Sequence, residues 1–461
     1  MIINELLVKK ALDAALSTGA DFAELFAEES QNNSLSMVDM KFDSLTDKKI
    51  RGVGIRVYLG LRSAHASTSD LTESGVLRCA YDAARAISDG RRTAPEFELA
   101  ERIFPDIHPI KVVPSSKGVL LKRDYLKEAL GAAKAKSSKI AQVSGVLLDV
   151  DRRILVANSY GLLTSDRQVR TRLSVTAVAS ERNESQVGSS NPGRRMGLEL
   201  FDMISPASIG EEAARQALVN LSADYCKAGV YPVAIENGFG GVIFHESCGH
   251  SLEASSVAYG NSQFAGKLDQ VIANEKVTAI DDGTIPNAWG SINIDDEGTP
   301  SERKILIENG VLRRYMVDRF NGRRMGMPSS GSARRQDYSF VPTSRMTNTY
   351  IAAGDDEDED IISSIDLGIY AAKMGGGSVN PATGAFNFAV SEAYMIRGGK
   401  ICEPVRGASL IGKGSEILMD IDMVGKNMKT GQGMCGSSSG SVPTDVGQPL
   451  IRVSKITVGG R

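Results

Sequence analysis

Over residues 1–225 the apolar residues switch repeatedly between helical and alternating periods, which predicts a mixed α/β region. The first sixteen positions, MIINELLVKKALDAAL, place apolar residues at helical spacing and read as an amphipathic helix. Asp21–Glu28, Ser34–Val38, Gly52–Leu59 and Arg62–Ser69 have strand character, with a hairpin turn expected at Gly60. Helical periodicity returns over Asp70–Ala86 and Tyr125–Lys136, on either side of a proline-containing connector at Pro105–Ser116. Val143–Val150, Arg153–Ser159 and Arg170–Ser180 are alternating and β-branched, as sheet strands are. Residues 181–198 read as a mobile loop or hairpin tip, and Ser208–Ala223 as a further helix.

Near Asp224–Gly229 the character changes. Beyond it glycine is frequent, and short β-like segments dominate, at 230–236, 276–281, 291–295, 304–310, 311–318, 386–396, 399–404, 417–425 and 450–460. Many short strands with glycine turns argue for a largely antiparallel sandwich or barrel. The expected architecture is α+β, with a mixed α/β domain over 1–225 and a β-rich domain over 226–461. The main helical interruption of the second domain is Gly240–Ser255, and the glycines at 238, 240 and 241 predict a strand, a tight turn, then a helix.

That helical stretch, GGVIFHESCGHSLEAS, holds the chemistry. It contains His245, Glu246 and His250, two of the four histidines in the chain with a carboxylate beside the first. Two imidazoles and a base are the parts of the H-E-x-x-H metallopeptidase motif, here with one residue added. At about 100° per residue, His250 on a regular helix points roughly 140° away from His245. Both reach one ion only if the helix takes a π-type bulge or ends between them, and Gly249 eases either route. The bland alternative is a chance string on an amphipathic helix.

A catalytic metal needs a third protein ligand and an open position. His65 and His108 lie in the other half without acidic or cysteine patterns around them, and are read as structural. Cys435, in GQGMCGSSSG, is the strongest candidate; the carboxylates of Asp281-Asp282 and Asp295-Asp296-Glu297 compete, though their turn-like contexts explain them adequately. Imidazole plus thiolate favours zinc, one ion per chain. Cys248 and Cys402 are read as structural. Glu253, Arg345 and Asn348 are assigned to supporting the site or contacting substrate; for Arg345 and Asn348, as for Arg334 and Arg335, anchoring of loops around the cleft is preferred. The acidic run Asp355–Asp360 reads as a solvated loop, and Gly375–Gly377 as a tight turn or backbone left open to a ligand.

Composition narrows the class. The 461 residues are 42% apolar and 24% charged, as in soluble globular proteins, and long enough for two to four domains. A net charge of −3 without a basic stripe argues against nucleic acid and membrane surfaces as partners. No run approaches the roughly 18 apolar residues that span a bilayer. Five scattered cysteines without C-x-x-C spacing argue against a disulfide framework and for a reducing cytoplasm. Residues 1–225 carry no nucleotide signature, neither a G-x-G-x-x-G after a strand nor a G-K-[ST] loop.

HESCGHSLEA, IDDEGTP, SRMTNTY, MGGG, FAVSEAYMI, GASLIGKG, MCG and VGQPLIRVSKITVGG follow in the order of the TldD/PmbA family of metallopeptidases. The chain resembles the catalytic, TldD-like branch, most strongly from Val230 to the end; over 1–225 the resemblance rests on the order of elements. It implies a metal held by His245, His250 and Cys435, with Glu246 as the catalytic base. It implies a cytoplasmic zinc peptidase acting on unfolded or disordered polypeptides, paired with a PmbA-like subunit or with itself. The implied fold is an α/β N-terminal domain and an antiparallel β C-terminal domain around an enclosed site entered by extended substrate. Cys402 and the acidic run have no counterpart in the family pattern. The alternatives are another zinc amide hydrolase, or a binding or assembly subunit whose metal is structural.

Overall fold

The computed structural model describes residues 2–87, 96–380 and 382–461. The chain opens with helix α1 (Glu5–Leu16), its N-terminus capped by the Asn4 side chain. Strands β1 (Phe22–Val38), β2 (Lys41–Leu59) and β3 (Arg62–Thr68) form an antiparallel meander, and α2 (Glu73–Arg85) follows. Helix α3 (Val119–Ala135) leads into β4 (Ile140–Asn158), β5 (Leu162–Glu181) and β6 (Glu184–Ser190), after which α4 (Pro206–Ser222) closes this half. The sheet order is β3-β2-β1-β4-β5, with β6 folded back on β5.

These strands are longer than the apolar pattern predicts. Asp21–Glu28 and Ser34–Val38 belong to one strand, as do Val143–Val150 and Arg153–Ser159. The polar Gln31, Asn32 and Asn33 hide that continuity, yet they pair in register with both neighbours. Of the two readings of 181–198, a mobile loop or a hairpin tip, the second holds for much of the stretch, which turns and returns as the β5–β6 hairpin.

Alternation along β1 sets the two faces of the sheet. Ala23, Leu25 and Ala27 pack under α1 and α2, and Leu35 and Met37 under α3 and α4. These four helices therefore cover one face. The intervening Phe22, Glu24, Phe26 and Glu28 point the other way and are buried against the second half of the chain. Glu24 meets Arg335 at 2.7 Å, and Glu28 meets Arg152 at 3.2 Å. Arg56 meets Glu297 at 3.4 Å across the same contact. Buried carboxylates are tolerated here because each has a guanidinium partner; removing one partner from such a pair costs about 3–5 kcal/mol.

The second half contains β7 (Gly229–Ile235), a 3₁₀ turn at Gly238–Gly241, and helix α5 (Val242–Ser247). Strands β8 (Ala279–Asp282), β9 (Arg303–Glu308) and β10 (Asn348–Ile351) come next, then β11 (Leu367–Val379), β12 (Ala385–Arg397) and β13 (Ser409–Lys413). The chain ends with β14 (Lys429–Ser437), β15 (Gly440–Gln448) and β16 (Ile451–Gly459). Strands β11-β7-β16-β13-β12 are neighbours in that order, and β12 returns to β11, so five strands close into a barrel. A second sheet runs β9-β8-β10-β15-β14, with β14 at its edge. Helix α5 lies between barrel and sheet, and Val242, Ile243 and Phe244 join the main apolar core.

Several short β-like segments take other conformations. Residues 291–295 are irregular apart from a bridge at Ile294, and only Val311–Leu312 of 311–318 is strand. Within 417–425 a helix covers Gly414–Asp420 and the strand is confined to Ile421–Val424. The acidic run is not a plain loop: Asp356 accepts from Val424 N at 2.7 Å and pairs with Lys276, and Asp358–Ser363 is a short helix. Gly375–Gly377 is extended within β11, not a tight turn. A Cβ on Gly377 would sit 2.1 Å from the Phe388 ring, so the missing side chain lets that ring cross the strand.

Candidate metal centre

Helix α5 is only six residues long and is held by its surroundings. Its entry passes against β15 so closely that a Cβ on Gly241 would lie 2.3 Å from the Gly447 carbonyl oxygen. The helix ends at Ser247; Cys248 leaves helical geometry at φ −128° and ψ −43°, and a 3₁₀ turn covers Gly249–Leu252. Of the two routes open to a five-residue spacing, the helix takes the ending between the histidines. The tighter 3₁₀ turn then brings His250 round to the side of His245.

The two imidazole rings stand nearly perpendicular, with centroids 5.1 Å apart. Cys435, on edge strand β14, approaches both: its Sγ lies 3.3 Å from His245 Nε2 and 3.3 Å from His250 Nε2. Among the described residues these three are the one group of His, Cys, Asp or Glu side chains whose ligating atoms converge, all within 4.8 Å of one another. His245 and Cys435 are buried, and His250 is nearly so.

Burial pushes the Cys435 thiol up, but the imidazoles of His245 and His250 outweigh it and hold the thiol down at about 3. Burial pushes His250 down; the Glu253 carboxylate and the Cys435 sulfur outweigh that and hold it well above its ordinary value. The protein alone thus favours a thiolate beside an imidazolium. A divalent cation would replace that proton between the same atoms. The two sulfur–nitrogen separations of 3.3 Å are close to the roughly 3.5 Å edges of a tetrahedron with nitrogen near 2.1 Å and sulfur near 2.3 Å from zinc, and the three donors together lie within 4.8 Å. The donor set therefore fits zinc.

Surrounding residues orient the donors. Glu253 Oε2 lies 3.1 Å from His250 Nδ1, so that nitrogen carries the proton and Nε2 is turned to the site, while Oε1 accepts from Met346 N. The buried Nδ1 of His245 has no hydrogen-bond partner. Arg345 donates to Ser439 Oγ at 2.9 Å, to Gly440 O at 2.9 Å and to the Cys435 carbonyl, clasping the β14–β15 turn. Nothing in the GSSSG run distinguishes Ser439 as that acceptor. Glu246 is half-buried, with Oε2 3.7 Å from His250 Nε2.

The other candidates lie elsewhere. Asn348 donates to Asp282 O at 2.5 Å and Ser291 Oγ at 2.7 Å, anchoring the 282–291 loop away from the ligands. Asp281 is consumed by Lys304 and by Thr347. Asp295 accepts backbone N–H groups of Glu297, Thr299 and Ala333, and Asp296 faces Arg335 N and Arg152. These aspartates, the competing third ligands, are structural anchors. Cys248 is buried away from the histidines and pushed up to about 12 by that burial. Cys402 is exposed, whereas His65 and His108 are enclosed and pushed down by burial to about 4 and about 3.

Sequence profiles of the PmbA/TldA metallopeptidases match the chain in three consecutive parts: domain 1 over residues 23–87, the central domain over 113–221 and the C-terminal domain over 228–460. A metalloprotease TldD homolog of Haemophilus influenzae is 37% identical over 453 residues, 95% of this chain and 93% of the relative. A zinc metalloprotease TldD homolog of Saccharolobus solfataricus is 30% identical over 289 residues, 62% of this chain and 64% of that one. The crystal structure of a Thermotoga maritima protein described as a putative modulator of a DNA gyrase superposes with a TM-score of 0.81 at 21% identity. It covers 99% of this chain and 100% of its own.

Proposed function

The chain belongs to the TldD/PmbA family of metallopeptidases, and on that footing we propose that it cleaves unfolded polypeptides with one zinc ion held by His245, His250 and Cys435. The observation that carries the proposal is the convergence of three donors with the Glu246 carboxylate beside them. Three ligands leave a coordination position free, as catalytic sites do, whereas a structural site is closed by four. A bound zinc ion supplies Lewis acidity, polarising a scissile carbonyl and making water easier to deprotonate. Glu246 takes the proton from the attacking water and passes it to the departing amine. Glu253 keeps the His250 ring in one orientation, and Arg345 keeps Cys435 at the end of its strand.

The same strand supports the substrate class. As the edge of its sheet, β14 leaves one row of backbone groups for an added strand, which binds extended chain with little regard for sequence. A folded protein keeps most of its backbone groups paired internally and has little free extended chain to offer. For the assembly, we assign a PmbA-like subunit or a second copy of the chain as partner. The projecting β1–β2 hairpin, with Phe42 and Leu45 exposed at its end, is a suitable surface. Five unpaired cysteines suit a reducing cytoplasm.

Glu246→Gln should retain zinc and lose cleavage of an unfolded protein; full activity in the zinc-loaded variant would remove Glu246 as the base. Cys435→Ser should weaken zinc binding, and unchanged stoichiometry and affinity would reassign the third ligand.

A further inference from the structure

Between the sheet face bearing Glu28 and the β14–β15 hairpin lies a cavity of about 400 Å³, in the size range of small-ligand sites. Ile50, Leu148 and Val150 line one wall, and Trp289, Met434 and Val442 the opposite one. The acids on its rim are already satisfied. Glu28 and Asp296 share Arg152, and Asp295 accepts three backbone N–H groups.

Three arginines lining the cavity are not so provided. Arg170 is buried and donates only to the Trp289 and Ser291 carbonyls and to Gln168. Arg334, also buried, donates to the Met346 carbonyl at 2.6 Å. The buried Nε of Arg172 has no partner, and its guanidinium stands 5.9 Å from the Trp289 ring. Among the described residues none of the three is ion-paired with a carboxylate, although Arg56, Arg152, Arg195, Arg319 and Arg335 each are. Asp296 and Asp281 act on Arg334 from a distance, and Asp166 on Arg170, but buried guanidinium charge with no carboxylate in contact is still costly, and an anion entering the space reduces that cost.

We propose that this cavity binds a carboxylate carried on an apolar group, as at the C-terminus or an acidic residue of a peptide, with Arg172 as its principal ion-pair partner. Apolar walls beside fork-shaped donors select such a group over a free inorganic ion. The position ties the occupant to the metal centre. Met434 adjoins Cys435 in sequence, and Trp289 Nε1 donates to the Gly433 carbonyl on the same strand at 2.9 Å. Binding in this cavity does not require that the centre hydrolyse anything.

Trp289 is the single tryptophan of the chain, so its fluorescence reports occupancy directly. The full-length zinc-loaded protein is titrated with N-acetyl-Leu-Leu, its C-terminal amide, and N-acetyl-Leu-Glu amide, following fluorescence and heat, with chromatography to verify that the probes stay intact. At least one carboxylate probe should give a saturable signal and the neutral amide none. Which carboxylate binds distinguishes a chain terminus from an acidic side chain. Arg172→Gln should weaken the binding probe by about tenfold or more, as loss of a charged hydrogen-bond partner does, and Arg172→Lys by less. Ile50→Glu, which places a carboxylate inside the cavity, should abolish binding and serves if Arg172→Gln does not fold. Equal binding of acid and neutral amide, binding heat without a change at Trp289, or unaltered affinity in folded Arg172→Gln or Ile50→Glu would overturn the proposal. Hydrolysis of an unfolded protein, assayed in parallel, distinguishes failure of this site from failure of the peptidase reading.

Discussion

Arg345→Met tests whether the metal centre depends on a side chain that touches none of the metal-facing atoms. Arg345 is fully buried, and its guanidinium bridges Ser439 Oγ, the Gly440 carbonyl and the Cys435 carbonyl. Methionine fills similar volume but donates nothing, so two carbonyls and a hydroxyl each lose a charged donor. Each lost contact to a charged donor is worth about 1.5–3 kcal/mol. Local relaxation recovers part of that, so the net cost falls at about 3–5 kcal/mol, as for other broken buried charged anchors. Edge strand β14 has a sheet neighbour on one side only, so the released strain is expressed there, at Cys435. Zinc affinity should fall about 10- to 100-fold, the usual effect of removing a residue that positions a ligand. Competition against a chromophoric chelator gives the affinity, and circular dichroism and thermal unfolding on the same sample give the fold. Arg345→Lys retains the charge but not the fork and should lie between. A folded Arg345→Met protein that binds zinc within about twofold of the parent would refute the reasoning and leave Arg345 a core strut.

His108 carries a pH prediction. Its Nδ1 accepts from Asn287 N at 3.0 Å, which joins the two halves of the chain, and burial holds it at about 3 in the folded state. The unfolded chain, titrating near 6.5, binds more protons between those values, so stability is full above 6.5 and is lost as pH falls toward 3. From pH 8 to pH 5 this residue alone should cost about 2 kcal/mol in denaturant unfolding, and His108→Gln should flatten that slope. Gly241→Ala drives a Cβ into the Gly447 carbonyl, where only backbone movement could relieve it. It should lose about 1–3 kcal/mol or more of stability and release zinc, seen by thermal unfolding and metal analysis.

Features with local causes are legible in the amino-acid order. The Gly60 hairpin, the helices near 5–16 and 206–222, and the change of character after residue 225 follow from neighbours along the chain. Polar strand interiors are not legible there, because Gln31, Asn32 and Asn33 are satisfied by partners on β2 and β4 and not by their own pattern. The same limit applies to Asp295 and Asp296, whose turn-like context gives no sign that backbone N–H groups and arginines from other segments engage them.

By itself the sequence determined that two scarce histidines and a carboxylate share one short helical stretch, since spacing along the backbone is a covalent matter. Tertiary structure alone decided where the helix ends, because Gly241 against Gly447 and the departure at Cys248 are consequences of packing against β15 and the barrel. It also decided which thiol faces the imidazoles. Cys435 stands 190 residues from His245 and 185 from His250. Only the pairing of β14 with β15 and the grip of Arg345 on its carbonyl bring it within 3.3 Å of both. A contact of that range depends on closing a barrel and a sheet around one helix, and no local preference of the chain contains it.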